Sequence, residues 1–154
     1  MTLWIVSPLA RTPAWAAKLL ASPLPTPGTP CASQSAGGYT FDFLGYVNNR
    51  DGTTTLFFRV ATTNKKDISY LAFGTGSWTR LMPVDNGSAT GNLGAYHVVW
   101  TNTNGNPGFP SIKFEPQFSG YSQGKTDAFS FTVTNFTPNT PCSSKPRRVQ
   151  TRCA

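Results

Sequence analysis

The sequence predicts an all-β protein: a single antiparallel β-sandwich of about seven strands with extended, poorly structured ends. Three observations predict it. Two segments, Ser111–Phe118 and Thr126–Thr134, alternate apolar and polar side chains with period two, the pattern of a strand with one oily and one wet face. Clusters of Asn, Asp and Gly punctuate the chain between such segments. No stretch between Tyr39 and Pro138 carries a convincing helical period, so βαβ units are excluded.

The elements follow in order. Tyr39, Phe41 and Phe43 share a face opposite Thr40 and Asp42. Asn48–Gly52 supplies turn chemistry, because Asn, Asp and Gly tolerate positive φ. Leu56, Phe58 and Val60 then form a second strand with Arg59 outward, and the two strands read as a hairpin. Asn64–Asp67 is a further turn, followed by strands over Ile68–Gly74 and Trp78–Val84. Asp85–Gly94 reads as a small-residue loop. His97–Thr101 has apolar side chains on both parities, which predicts a central strand. Thr103–Pro110 is a loop. In Ser111–Phe118, Ile112, Phe114, Pro116 and Phe118 point one way, while Ser111, Lys113, Glu115 and Gln117 point the other. Pro116 lacks an amide donor and marks an edge, a bulge or the end of pairing. In the last strand Phe129, Phe131 and Val133 point inward. Asn135 shares their parity but is polar, so the strand should end by Thr134 and leave Asn135 to solvent.

Length and composition fit one domain. The chain has 154 residues, enough for a core that stands without a metal or many disulfides. Charged residues make up 12%, about half the usual share. With 11 Phe, 5 Tyr and 4 Trp, the chain lacks the low-aromatic, high-charge signature of disorder. We divide it into an N-terminal segment with a Pro-rich linker (1–38), the sandwich (39–138) and a basic Pro/Arg tail (139–154). Residues 22–30, SPLPTPGTP, hold four prolines and read as extended linker. The residues before them contain a short apolar run and the small-x-small pattern Ala14-Trp15-Ala16, which resembles a signal-peptide cleavage site without its charged n-region. No run is long enough for a membrane-spanning helix.

The net charge of +7 would suit nucleic acid if it were concentrated on the folded body. It is not. The body holds seven basic residues and all six acids, so the excess lies in the ends and no nucleic-acid partner is expected. Cys31 precedes the first expected strand and Cys142 follows the last. A bridge between them would close a loop of about 110 residues and contribute about 4–5 kcal/mol in the chain-entropy reading. Cys142–Cys153 is the rival pairing, and three unpaired thiols the reducing-compartment alternative. Asn86-Gly-Ser88 and Asn135-Phe-Thr137 are glycosylation sequons, in keeping with secretion.

The segments Tyr39-Thr-Phe-Asp-Phe-Leu-Gly-Tyr-Val47, Ser111-Ile-Lys-Phe-Glu115 and Asp127-Ala-Phe-Ser-Phe-Thr-Val133 carry a resemblance. The body resembles the small uncharacterised secreted β-sandwich domain proteins of filamentous fungi and, more loosely, sandwich domains of bacterial surface proteins. The resemblance implies a secreted sandwich and supplies no catalytic residue.

Catalytic chemistry finds little footing. His97 lies in a strand with no local nucleophile motif, so a structural histidine is the simpler reading. Glu115 and Asp127 form one of many accidental carboxylate pairs. Asp85–Asn92 is crowded with oxygen but lacks the closing acid of a calcium loop, where Tyr96 stands. No metal or other cofactor is expected. We expect a non-enzymatic protein, extracellular or wall-bound, that works by surface contact with glycan or extracellular matrix. A carbohydrate-binding module, with Trp78 as platform and Arg80 beside it, is the alternative. A glycoside-active or other hydrolase using His97 or Glu115 is the third reading.

Overall fold

The computed structural model describes residues 29–101, 104 and 106–137, apart from the side chains of Arg80 and Leu81. The N-terminal segment to residue 28, Cys142, Cys153 and the basic tail from 138 lie outside the described residues. Every regular element among those described is a strand. They are β1 (Ala32–Ala36), β2 (Tyr39–Asn48), β3 (Thr54–Thr62), β4 (Leu71–Gly74), β5 (Thr79–Met82), β6 (Gly87–Thr90), β7 (Ala95–Thr101), β8 (Ser111–Pro116) and β9 (Thr126–Thr134). Sheet A has the order β1-β2-β3-β9-β5 and sheet B the order β4-β8-β7-β6, with every pairing antiparallel. Two sheets share one core, as in a sandwich.

Nine strands are present where about seven were expected. The additional two, β1 and β6, have the sequences ASQSA and GSAT. Both are edge strands built from small and polar residues, so neither has an apolar face for periodicity to register. Strand β1 also places ordered chain before Tyr39, inside the segment expected to be linker.

The alternating segments fold as their parity demands except at Ser111, expected on the wet face but fully buried, where its hydroxyl bonds that of Thr101 at 2.6 Å. Phe129, Phe131 and Val133 are buried, as are Ile112 and Phe114. Strand β8 ends on Pro116, paired with Tyr96, and β9 ends at Thr134 with Asn135 exposed at φ 58°. Strand β7 is central in sheet B, between β8 and β6. The β2–β3 hairpin turns through Asn49–Thr53, where Gly52 adopts φ 81° and Asp51 accepts from the Thr53 amide and hydroxyl. A register shift between Phe43 and Gly45 changes which residues of β2 face inward. Strict alternation from Phe43 would put Tyr46 outside; the bulge returns it to the core.

Phe73 joins the layers. From β4 in sheet B its ring meets Phe41, Phe58, Phe129 and Phe131 of sheet A, at centroid separations of 6.3, 4.8, 5.7 and 5.8 Å. Each fully buried Phe contributes about 1.5–3 kcal/mol of transfer free energy, and tilted or edge-on ring pairs add to it.

Candidate functional site

Three regions hold the polar chemistry. The first is the outer face of sheet A. Antiparallel register sets Ser33 opposite Asp42, and Asp42 opposite Arg59. Ser33 Oγ donates to Asp42 Oδ1 at 2.7 Å, while Arg59 donates to Oδ2 through Nε at 2.8 Å and Nη2 at 2.7 Å. Burial pushes the Asp42 carboxyl upward, but the Ser33 hydroxyl and the Arg59 guanidinium outweigh it and hold it below the usual carboxylate range. Ser35 bonds Thr40 at 2.8 Å and Thr55 bonds Thr132 at 2.9 Å. The face carries hydroxyls tied across strands on either side of Phe57, which shares the parity of Thr55 and Arg59 and is buried.

The second region is the outer face of sheet B. Ser88, His97 and Glu115 stand in one cross-strand row through β6, β7 and β8. His97 Nδ1 lies 3.2 Å from Glu115 Oε2, and Lys113 Nζ lies 2.7 Å from Oε1. Hydrogen bonds from Lys113 first and His97 second hold the Glu115 carboxyl below its ordinary value. Lys113 Nζ also sits 5.3 Å from the Tyr70 ring centroid, a cation–π contact. His97 is thus oriented by an acid, but that acid is shared with a lysine, and the group forms an ion-pair network on a sheet face.

The third region centres on Asp127, which the sequence offered only as half of an accidental pair with Glu115. The structure separates the two: Glu115 is on the outer face of sheet B, and Asp127 is buried between the layers. Its Oδ1 accepts from the amides of Asn92 at 2.6 Å and Ala128 at 2.8 Å. Its Oδ2 accepts from the Leu93 amide at 3.1 Å and the Tyr96 hydroxyl at 2.6 Å. Burial, and then the bond to Asp127, raise the Tyr96 phenol far above the normal tyrosine range. The β6–β7 turn is therefore pinned onto β9 by one carboxylate. Beside it a cleft of about 250 Å³ opens between β6 and β9, with Pro83, Thr90, Asn92, Phe129 and Ser130 in its lining. The inward parity of Asp127, shared with Phe129, was the available sign that this acid points into the protein.

The remaining expected residues are scattered. Trp78 is half-buried immediately before β5, its ring edge-on to Phe136 at 5.0 Å. The Arg80 backbone pairs with Val133, and its side chain lies outside what is described. Asn86 and Asn135 are both exposed with positive φ, 54° and 58°. Asp85 uses its carboxylate on the Asn86 and Trp100 amides, as a turn residue does. Among the described residues no group of three or more His, Cys, Asp or Glu side chains could hold a metal ion, and no helix is long and apolar enough to cross a membrane. No protein-family model, curated protein or solved structure matches the chain, so its site is read from its own geometry.

Proposed function

We propose that the protein is a non-enzymatic β-sandwich, secreted or wall-associated, that works by surface contact with glycan or extracellular matrix. The observation that carries this reading is the outer face of sheet A, where Ser33, Ser35, Thr40, Thr55 and Thr132 present cross-linked hydroxyls beside a single neutralised ion pair. Such a face offers many hydrogen bonds with little net charge, which suits neutral polysaccharide better than an anionic polymer. Its resemblance to secreted fungal sandwiches points the same way. So do two exposed sequon asparagines and the bridge we propose between Cys31 and Cys142.

Retention of the protein on insoluble cellulose, chitin and β-1,3-glucan tests the reading. We expect binding to at least one polymer, reduced when Thr55 and Thr132 are both replaced by Val. Passage through all three polymers without delay removes the glycan reading. The alternative, a binding module using Trp78, is distinguished by Trp78→Ala. Half-burial against Phe136 favours a packing role, and we expect that variant to retain binding.

A further inference from the structure

We propose that the cleft between β6 and the first half of β9 is a binding site for a single neutral sugar ring, a pyranose. The inference rests on the glycan-contact reading but assigns a separate place to it.

The topology creates the gap. Strand β3 pairs with β9 from Thr126 to Val133, whereas β5 pairs with it only at Thr132, Val133 and Thr134. On the β5 side, the earlier residues of β9 have no strand neighbour among the described residues. The Ala128 amide donates to Asp127 Oδ1 at 2.8 Å, so it faces away from β3. Ladder bonds alternate along a strand, so the Ser130 N–H and C=O face the same way, into the gap. Across from them runs β6, the edge of sheet B. At one end the chain leaves β5 through Pro83. At the other stands the Gly91–Asn92 turn that Asp127 holds in place.

Size and chemistry limit the occupant. About 250 Å³ is below the range of roughly 300–1,000 Å³ typical of drug-sized ligands, and it suits one ring. The lining side chains carry no formal charge, and the one nearby carboxylate is already saturated with donors. A charged ligand would lose hydration without compensation. The Asn92 side-chain amide and the backbone edge of β9 suit a molecule ringed with hydroxyls, and Phe129 in the lining suits its C–H face. Strand addition by a peptide is disfavoured because the groove is closed at both ends and its free edge is only about 14 Å long at strand rise.

The test is a titration of the 15N-labelled protein with the methyl pyranosides of glucose, galactose, mannose and N-acetylglucosamine, each to roughly 50 mM, the range where weak ligands are detected. We expect at least one to shift the Gly91, Asn92 and Ser130 amides saturably. Ala89→Leu, which fills the cleft, should abolish the shifts. Asn92→Ala, at an exposed side chain, should weaken binding about fivefold, the equivalent of one hydrogen bond, and decides the matter if Ala89→Leu fails to fold. The proposal is overturned if no pyranoside shifts these amides, if the variants bind as the wild type does, or if an acetylated hexapeptide of alternating Thr and Val shifts them and the pyranosides do not. Polymer retention without cleft shifts defeats this site and leaves the surface-contact reading intact. Cleft shifts without polymer retention do the reverse.

Discussion

The Asp127 carboxylate faces four donors, three of them from Asn92, Leu93 and Tyr96. Asp127→Asn sets an NH2 group against N–H or O–H groups that donate to the wild-type carboxylate. We expect a loss of about 2–4 kcal/mol by urea denaturation, since bonds to charged groups are worth about 1.5–3 kcal/mol each and an orphaned donor adds to the cost. Tyr96→Phe removes one donor to the carboxylate and leaves the others served, so about 1.5–3 kcal/mol is expected. Glu115 behaves differently because it is a third exposed and bonded to Lys113 and His97. Its folded-state pKa is depressed, so its contribution is present above the unfolded carboxylate pKa and is lost as pH falls through the folded value. Glu115→Gln should therefore cost roughly 0.5 kcal/mol at pH 7 and nothing once the wild-type carboxyl is protonated. Denaturation curves for both proteins should converge on acidification.

How far each strand can be read from sequence depends on whether it has an oily side. Strands β2, β3, β8 and β9 present Phe, Val, Leu or Ile at alternate positions, and their inward residues lie in or against the core. Strands β1 and β6 contribute only alanine as an apolar residue, and no local pattern separates them from loop. The Gly45 bulge was hidden for another reason: a register shift is a property of the pair, and Tyr46 moves inward only because β3 demands it. The cleft was equally illegible, since it arises from β5 stopping short of its neighbour's length. The β6–β7 turn carries a sharp test of this geometry. A Cβ on Gly91 would collide with the Asp127 carboxylate, which is fixed by its donors and cannot swing aside. Gly91→Ala should cost about 1–3 kcal/mol, the range for overpacking, and an Asp127→Ala background should relieve much of it. A double-mutant cycle measures the coupling.

At the level of the entire fold, the sandwich class follows from alternation and turn spacing, while the pairing of Cys31 does not follow from spacing alone. If Cys31 is bridged to Cys142, the link holds the sheet A edge to the chain beyond β9. Cys31→Ser should then lower stability by up to about 4 kcal/mol and leave Cys142 alkylatable in the native protein. An unchanged melting transition, with no newly reactive thiol, excludes that bridge.

The place of β9 has a consequence for biogenesis. It is the last strand described, yet it lies between β3 and β5 and supplies both with their partner. Until Thr126–Thr134 has been synthesised, β5 has no ladder to join and one long edge of β3 stays bare. The nascent polypeptide must wait for β9 before sheet A can close, and that delay should make efficient production depend on chaperone protection of β3.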